Sequence, residues 1–189
     1  SATPADWERL GETYLARTAR WRTHKPRSTD KMPGNWVFIG ALRAMLPGAR
    51  VIDCRRNPLE TAWSCFKQVF ASGNAFSYDL HDIADYWKVY DETLHFWTRL
   101  YPGRLREQHL EALIAHPEAQ IRELLAFLDL PFEAACVDFQ QAERAVRTPS
   151  AAQVRQPLRN ETARAPRYGE LLDPLRAALH AAEKQAQRD

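Results

Sequence analysis

Between Ala49 and Phe66 the chain reads ARVIDCRRNPLETAWSCF, and few local folds accommodate that order of residues. Val51-Ile52-Asp53-Cys54 is short, β-branched at its start and bounded upstream by Pro47-Gly48, which suits an interior strand. Asn57 is a good N-cap, Pro58 is pre-set for a first helical position, and Glu60 completes a capping-box-like pattern. On the helix that follows, Leu59, Trp63, Phe66 and Phe70 form one stripe and are expected to pack inward, with Asn57, Thr61, Ser64 and Gln68 opposite. A helix start presents unpaired N–H groups and partial positive charge, and Arg55 or Arg56 adds a forked donor beside it. That combination suits a phosphate. It equally describes a surface helix whose arginines pair with carboxylates, and spacing alone leaves both readings open.

At 189 residues the chain is expected to form one domain with a real core. It is 45% apolar and 26% charged with a net charge of +2, a balance that argues against a general nucleic-acid binder. The cations are mostly arginine, which suits anion forks and also follows from genomic base composition. Cys54, Cys65 and Cys136 make no C-x-x-C pair and no zinc spacing, so no metal site is expected. In apolar company they read as reduced core thiols of an intracellular, cytoplasmic protein. No apolar run approaches membrane length and no signal peptide is visible, while the opening Ser-Ala-Thr without Met fits a piece of a longer chain.

Along the chain, Thr3 and Pro4 open a helix carrying Trp7, Leu10, Tyr14 and Trp21 on a helical period. An apolar helix runs to Met45-Leu46 and stops at Pro47-Gly48. Tyr78 to Leu100 is the longest predicted helix, with Ile83, Trp87, Tyr90, Leu94, Trp97 and Tyr101 at steps of four and three, a spacing that burial demands. Residues 104–109 make a weak strand, and His116-Pro117-Glu118 starts a helix with Ile121, Leu124, Leu125 and Leu128 inward. A short helix with Ala135, Cys136 and Phe139 follows. Residues 148–166 read as a loop ordered by its contacts, and an Ala/Leu helix from Tyr168, broken or re-aimed at Pro174, closes the chain.

The pattern R-x-P-L-E-T-x-x-S-C-F from Arg56 to Phe66 resembles the 3′-phosphate-binding segment of sulfotransferases that use 3′-phosphoadenosine-5′-phosphosulfate (PAPS). In that family an arginine and a serine eight positions later grip the 3′-phosphate, a spacing that Arg56 and Ser64 match. Further motifs fit in the same order: Thr29-Asp30-Lys31-Met32-Pro33, Ser77-Tyr78-Asp79-Leu80, the H-P-E-x-x-I-R segment from His116 to Arg122, and the run from Ala145 to Arg155 that contains Ser150. The resemblance spans roughly residues 5 to 176 and is to bacterial sulfotransferases related to tyrosylprotein sulfotransferases, often fused to tetratricopeptide repeats.

That resemblance implies transfer of a sulfuryl group from PAPS to a hydroxyl acceptor, peptidyl tyrosine or a small molecule, with 3′,5′-adenosine bisphosphate as product. Arg56 and Ser64 would hold the 3′-phosphate with Arg55 beside them, and Arg155 or Arg164 would reach the nucleotide phosphates from the late loop. Sulfuryl transfer, like phosphoryl transfer, passes a loose transition state in which positioning and charge stabilisation dominate. Lys31 would meet charge developing on the bridging oxygen. Ser150 corresponds to the family serine near the 5′ side of the donor, and also reads as a loop serine capping a local turn.

Two departures qualify the match. The family's P-x-S-G-T-T-type 5′-phosphosulfate loop is not in this sequence, since Pro26-Arg27-Ser28-Thr29 has no glycine and no strand before it. The acceptor-activating base that follows that loop is expected to be absent with it. The family's R-Y-E-D-L run becomes a segment in which Leu110 takes the tyrosine's place. The expected architecture is helix-rich α/β with a small parallel sheet, a P-loop-like sulfotransferase fold lacking its first strand, residues 1–189 being the C-terminal two-thirds of one domain. An exposed sheet edge would then favour self-association. The alternative is a non-catalytic binding or protein-interaction module of the same descent. A kinase-like relative ranks third, because no G-x-x-x-x-G-K-[ST] is present.

Overall fold

The computed structural model describes residues 2–22, 25, 27–70, 73–139 and 163–186. Seven α-helices and two strands are formed among them: α1 (Pro4–Thr18), α2 (Ile39–Met45), β1 (Val51–Arg55), α3 (Pro58–Phe66), α4 (Leu80–Leu100), β2 (Leu105–His109), α5 (Leu110–Ala115), α6 (Pro117–Phe127) and α7 (Asp173–Ala186). The fold is helix-rich α/β with a small parallel sheet of two strands, β1 beside β2. By its contacts the chain divides into two compact units, Ser1–Val51 with Tyr90–Leu105, and Ile52–Val89 with Arg106–Asp189. No helix among the described residues is long and apolar enough to cross a membrane.

In the first unit, Thr3 caps α1 as expected, its hydroxyl accepting from Asp6 N–H while the Asp6 carboxylate returns to Thr3 N–H at 2.9 Å. The helical period on α1 is used in part, with Trp7 and Tyr14 half-buried. Leu10 is exposed, Trp21 lies beyond the helix in a 3₁₀ turn at 67% exposure, and the buried residue is Gly11. A methyl group at Gly11 would stand 2.1 Å from the Met45 carbonyl oxygen. The two helices therefore meet backbone to backbone at this point. After α2, the Arg43 guanidinium donates to the carbonyls of Pro47 (2.6 Å) and Ala49 (2.8 Å), fixing the turn that leads into β1.

The second unit has its core where α3, the first turns of α4 and α7 converge. Ala62, Ile83, Ala84, Leu175 and Leu179 are buried together, with Leu59, Trp63, Phe76, Leu80 and Trp87 packed against them. Burying a leucine fully, as at Leu175, contributes roughly 1.5–3 kcal/mol. Leu59 and Trp63 thus go inward as their spacing predicts, but Phe66 does not. Helix α3 ends at Phe66, which is exposed and stacks over Trp63 at 5.7 Å, and Phe70 lies beyond the helix. Toward the C-terminus the break falls earlier than Pro174. Residues Ala165–Leu172 form a 3₁₀ segment kinked at Gly169 (φ 51°, ψ −130°), a conformation that a side chain would oppose, and Pro174 is simply the second residue of α7.

The weak strand at 104–109 is real and polar for a reason. Arg106 donates to Glu123 (2.9 Å) and Gln108 to Gln120 (3.0 Å), both acceptors on α6, while Glu107 and His109 alternate to the other side. The predicted helix around Ala135 shortens to one 3₁₀ turn, Ala134–Cys136. The expectation of core thiols fails at Cys54, which is exposed because a two-stranded sheet leaves part of β1 uncovered. Cys65 and Cys136 are half-buried, and burial pushes the Cys65 thiol pKa up.

Candidate functional site

At the carboxyl ends of the two parallel strands, where α/β sheets usually hold ligands, the second unit opens a cleft of about 330 Å³. Its walls are Arg55, Arg56, Asn57, Pro58, Trp87, His109 and Glu111. Each is set there by local sequence. Arg55 ends β1, Arg56 and Asn57 make the step into α3, Pro58 starts that helix, and His109 ends β2 where α5 begins with Glu111 close behind.

The N-cap of α3 forms as predicted, with Asn57 Oδ1 accepting from Glu60 N–H at 3.1 Å. The other half of the capping box does not. Glu60 turns inward instead, 7% exposed, and its carboxylate accepts from Arg164 N–H (2.8 and 2.9 Å) and Ala165 N–H (2.7 Å). Asn57 N–H finds a different acceptor, Glu111 Oε1 at 2.8 Å. So a carboxylate from α5 already stands at the helix start where an anion was expected.

The two arginines separate in role. The Arg55 guanidinium, 8% exposed, bonds Asp53 at 2.6 Å and approaches Glu107 at 3.4 Å, a tie across β1 and β2. Arg56 is more open and reaches Glu60 Oε2 at 3.3 Å. Glu107 also approaches His109 Nε2 at 3.4 Å, so one carboxylate lies between a guanidinium and an imidazole. Ser64 is exposed on α3, two turns beyond Arg56, and does not line the cleft. Lys31 is exposed in the first unit, ahead of the 3₁₀ turn Pro33–Phe38. Ser150 and Arg155 lie outside the described residues. Arg55 and Arg56 are thus gathered in one cleft, together with Glu111, Trp87 and His109, none of which the sequence had marked as a site residue.

A model of the sulfotransferase family matches residues 2–134. The chain belongs to the sulfotransferase family. The chain is 34% identical over 166 residues to an uncharacterized protein of Aquifex aeolicus (strain VF5), a match covering 86% of this chain and 22% of that protein. The chain therefore spans about a fifth of the length of that curated relative. Among solved structures it is similar in fold to the sulfotransferase domain from the curacin biosynthetic pathway, with a TM-score of 0.55 at 18% identity, covering 94% of this chain and 68% of that one. The family is named for sulfuryl transfer, and the solved domain shares the fold.

The cleft suits a phosphate ester only in part. Two guanidinium groups, an imidazole and an indole wall match the charge and the apolar surface of a nucleotide. Against them stand Glu60 on Arg56 and Glu111 on Asn57 N–H, so an arriving phosphate has to exchange for a carboxylate at one or both positions.

Proposed function

We propose that this chain supplies the 3′-phosphate site of a sulfotransferase of the bacterial, tyrosylprotein-sulfotransferase-like type, with PAPS as donor and a hydroxyl, peptidyl tyrosine foremost, as acceptor. The observation that carries the reading is Arg56 on the wall of the cleft at the end of β1, followed by a capped helix with Ser64 eight residues on. Arg56 is the ligand-binding arginine in this reading. Arg55, held by Asp53 and Glu107, braces the floor beneath it. Trp87 and Pro58 supply apolar surface beside the cations. When bound, the donor supplies the sulfuryl group and a bisphosphate leaving group. Lys31 then offers an exposed ammonium of the kind that neutralises charge on a departing oxygen. Ser150, with Arg155 or Arg164, is assigned to the donor in this reading by resemblance alone, Ser150 and Arg155 lying outside the described residues.

Titration with adenosine 3′,5′-bisphosphate tests the proposal. Arg56→Ala is expected to weaken binding by roughly ten- to a hundredfold, the loss of a charged hydrogen bond to phosphate, and Ser64→Ala by less. A second reading is favoured by a specific observation, the internal pairing of Arg56 with Glu60 in a sequence without a P-x-S-G-T-T turn. In that reading the chain is a non-catalytic module, and no binding is seen at millimolar nucleotide.

A further inference from the structure

We infer that His109 is a further anion ligand of the cleft beside Arg56, and that the cleft takes up a proton on His109 when a phosphate binds. The inference rests on the phosphate-site reading above and adds a residue and a pH dependence to it.

The charges around the cleft are unevenly matched. Among the described residues, Arg55 and Arg56 bring two positive charges, while Asp53 on β1, Glu107 on β2, Glu60 on α3 and Glu111 on α5 bring four carboxylates, each bonded or ion-paired to a member of the cleft wall. A phosphate entering there adds negative charge beside these carboxylates. One wall residue, His109, is of the type that can be neutral or cationic and so can change that balance. The His109 side chain is 52% exposed, so its ring meets solvent at the cleft wall and is accessible to a ligand. Its Nε2 faces Glu107 Oε2 at 3.4 Å, and Nδ1 has no hydrogen-bond partner among the described residues. A doubly protonated ring would donate to Glu107 from Nε2 and leave Nδ1–H for a phosphate oxygen. Glu107, already facing Arg55, is the group that steadies the imidazolium on its inner side. A bound phosphate steadies it on the outer side. Each binding event then favours the other, which is proton linkage.

The test is calorimetric titration of the whole chain with adenosine 3′,5′-bisphosphate, from about pH 5.5 to about pH 8, in two buffers of different ionisation enthalpy. The ligand's own phosphates titrate near pH 6, so the comparison is between variants rather than between pH values alone. Wild type is expected to lose at least about tenfold more affinity across this range than His109→Gln, and to take up a proton that His109→Gln does not. His109→Arg, a fixed cation, is expected to restore binding at the alkaline end. Identical pH profiles and proton uptake for wild type and His109→Gln would overturn the role of His109 while leaving the phosphate site standing. Absence of binding at every pH would overturn the phosphate site itself, and this inference with it.

Discussion

The backbone N–H of Asn57 donates to the Glu111 carboxylate at 2.8 Å, tying the first residue of the α3 cap to the first turn of α5. The bond meets the amide that a capping box would otherwise satisfy from within the helix, and it puts negative charge against the positive end of α3. Glu111→Gln keeps an acceptor there and removes the charge. Its affinity for adenosine 3′,5′-bisphosphate is expected to rise several-fold over wild type, measured by calorimetry at constant ionic strength. A fall would mean that Glu111 assists the ligand rather than competing with it.

Glu60 is buried and holds two backbone amides and Arg56. Glu60→Ala strands those amides, and is expected to cost about 1.5–3 kcal/mol in unfolding free energy. Urea denaturation followed by tryptophan fluorescence reads this as a lowered midpoint. An unchanged midpoint would show that the amides find other partners.

Gly11 has no room for a side chain, because a Cβ would sit 2.1 Å from Met45 O. In most helices Gly→Ala stabilises through propensity. Here Gly11→Ala is expected to destabilise by about 1–3 kcal/mol, since backbone has to move to admit the methyl group. Thermal unfolding decides the sign.

Asp79 precedes α4 and accepts from Asp82 N–H (3.1 Å) and His81 N–H (2.7 Å), and these amides hold its pKa below the ordinary carboxylate value. The folded pKa is lowered, so the stability it contributes is present above the unfolded pKa and is lost as pH falls through the folded one. Asp79→Ala is expected to melt below wild type at about pH 7, with the gap closing towards about pH 2.5. Parallel melting curves at both pH values would contradict a capping role.

Cys54 is exposed, whereas burial raises the pKa of the half-buried Cys65 and keeps its thiolate scarce. Alkylation by iodoacetamide at neutral pH, resolved by peptide mass spectrometry, is expected to mark Cys54 well before Cys65. Equal rates would indicate that the end of α3 opens readily.

What could be read in advance followed from local chemistry. Thr3, Asn57 and Pro58 act through neighbours within a turn, and Leu59 and Trp63 repeat at helical spacing, so the starts of α1 and α3 and the inward face of α3 were legible. Glu60 looked like a capping residue because its true partners lie 104 and 105 positions away. The close approach of α1 to Met45 was invisible to any hydrophobic pattern, being made at a glycine. Strand β2 was faint because its Arg106 and Gln108 meet polar groups of α6 rather than an apolar layer. At the site, the arginines stood out in the sequence. His109, Glu111 and Trp87 joined them only once the strands were brought side by side.

The position of Glu60 gives this chain an internal reporter. One carboxylate grips the arginine of the cleft with one oxygen and shares both oxygens with the amides of residues 164 and 165. A ligand that draws Arg56 away alters the grip on those two amides without touching them. Their deuterium uptake therefore registers occupancy of the cleft from a point more than a hundred residues along the chain.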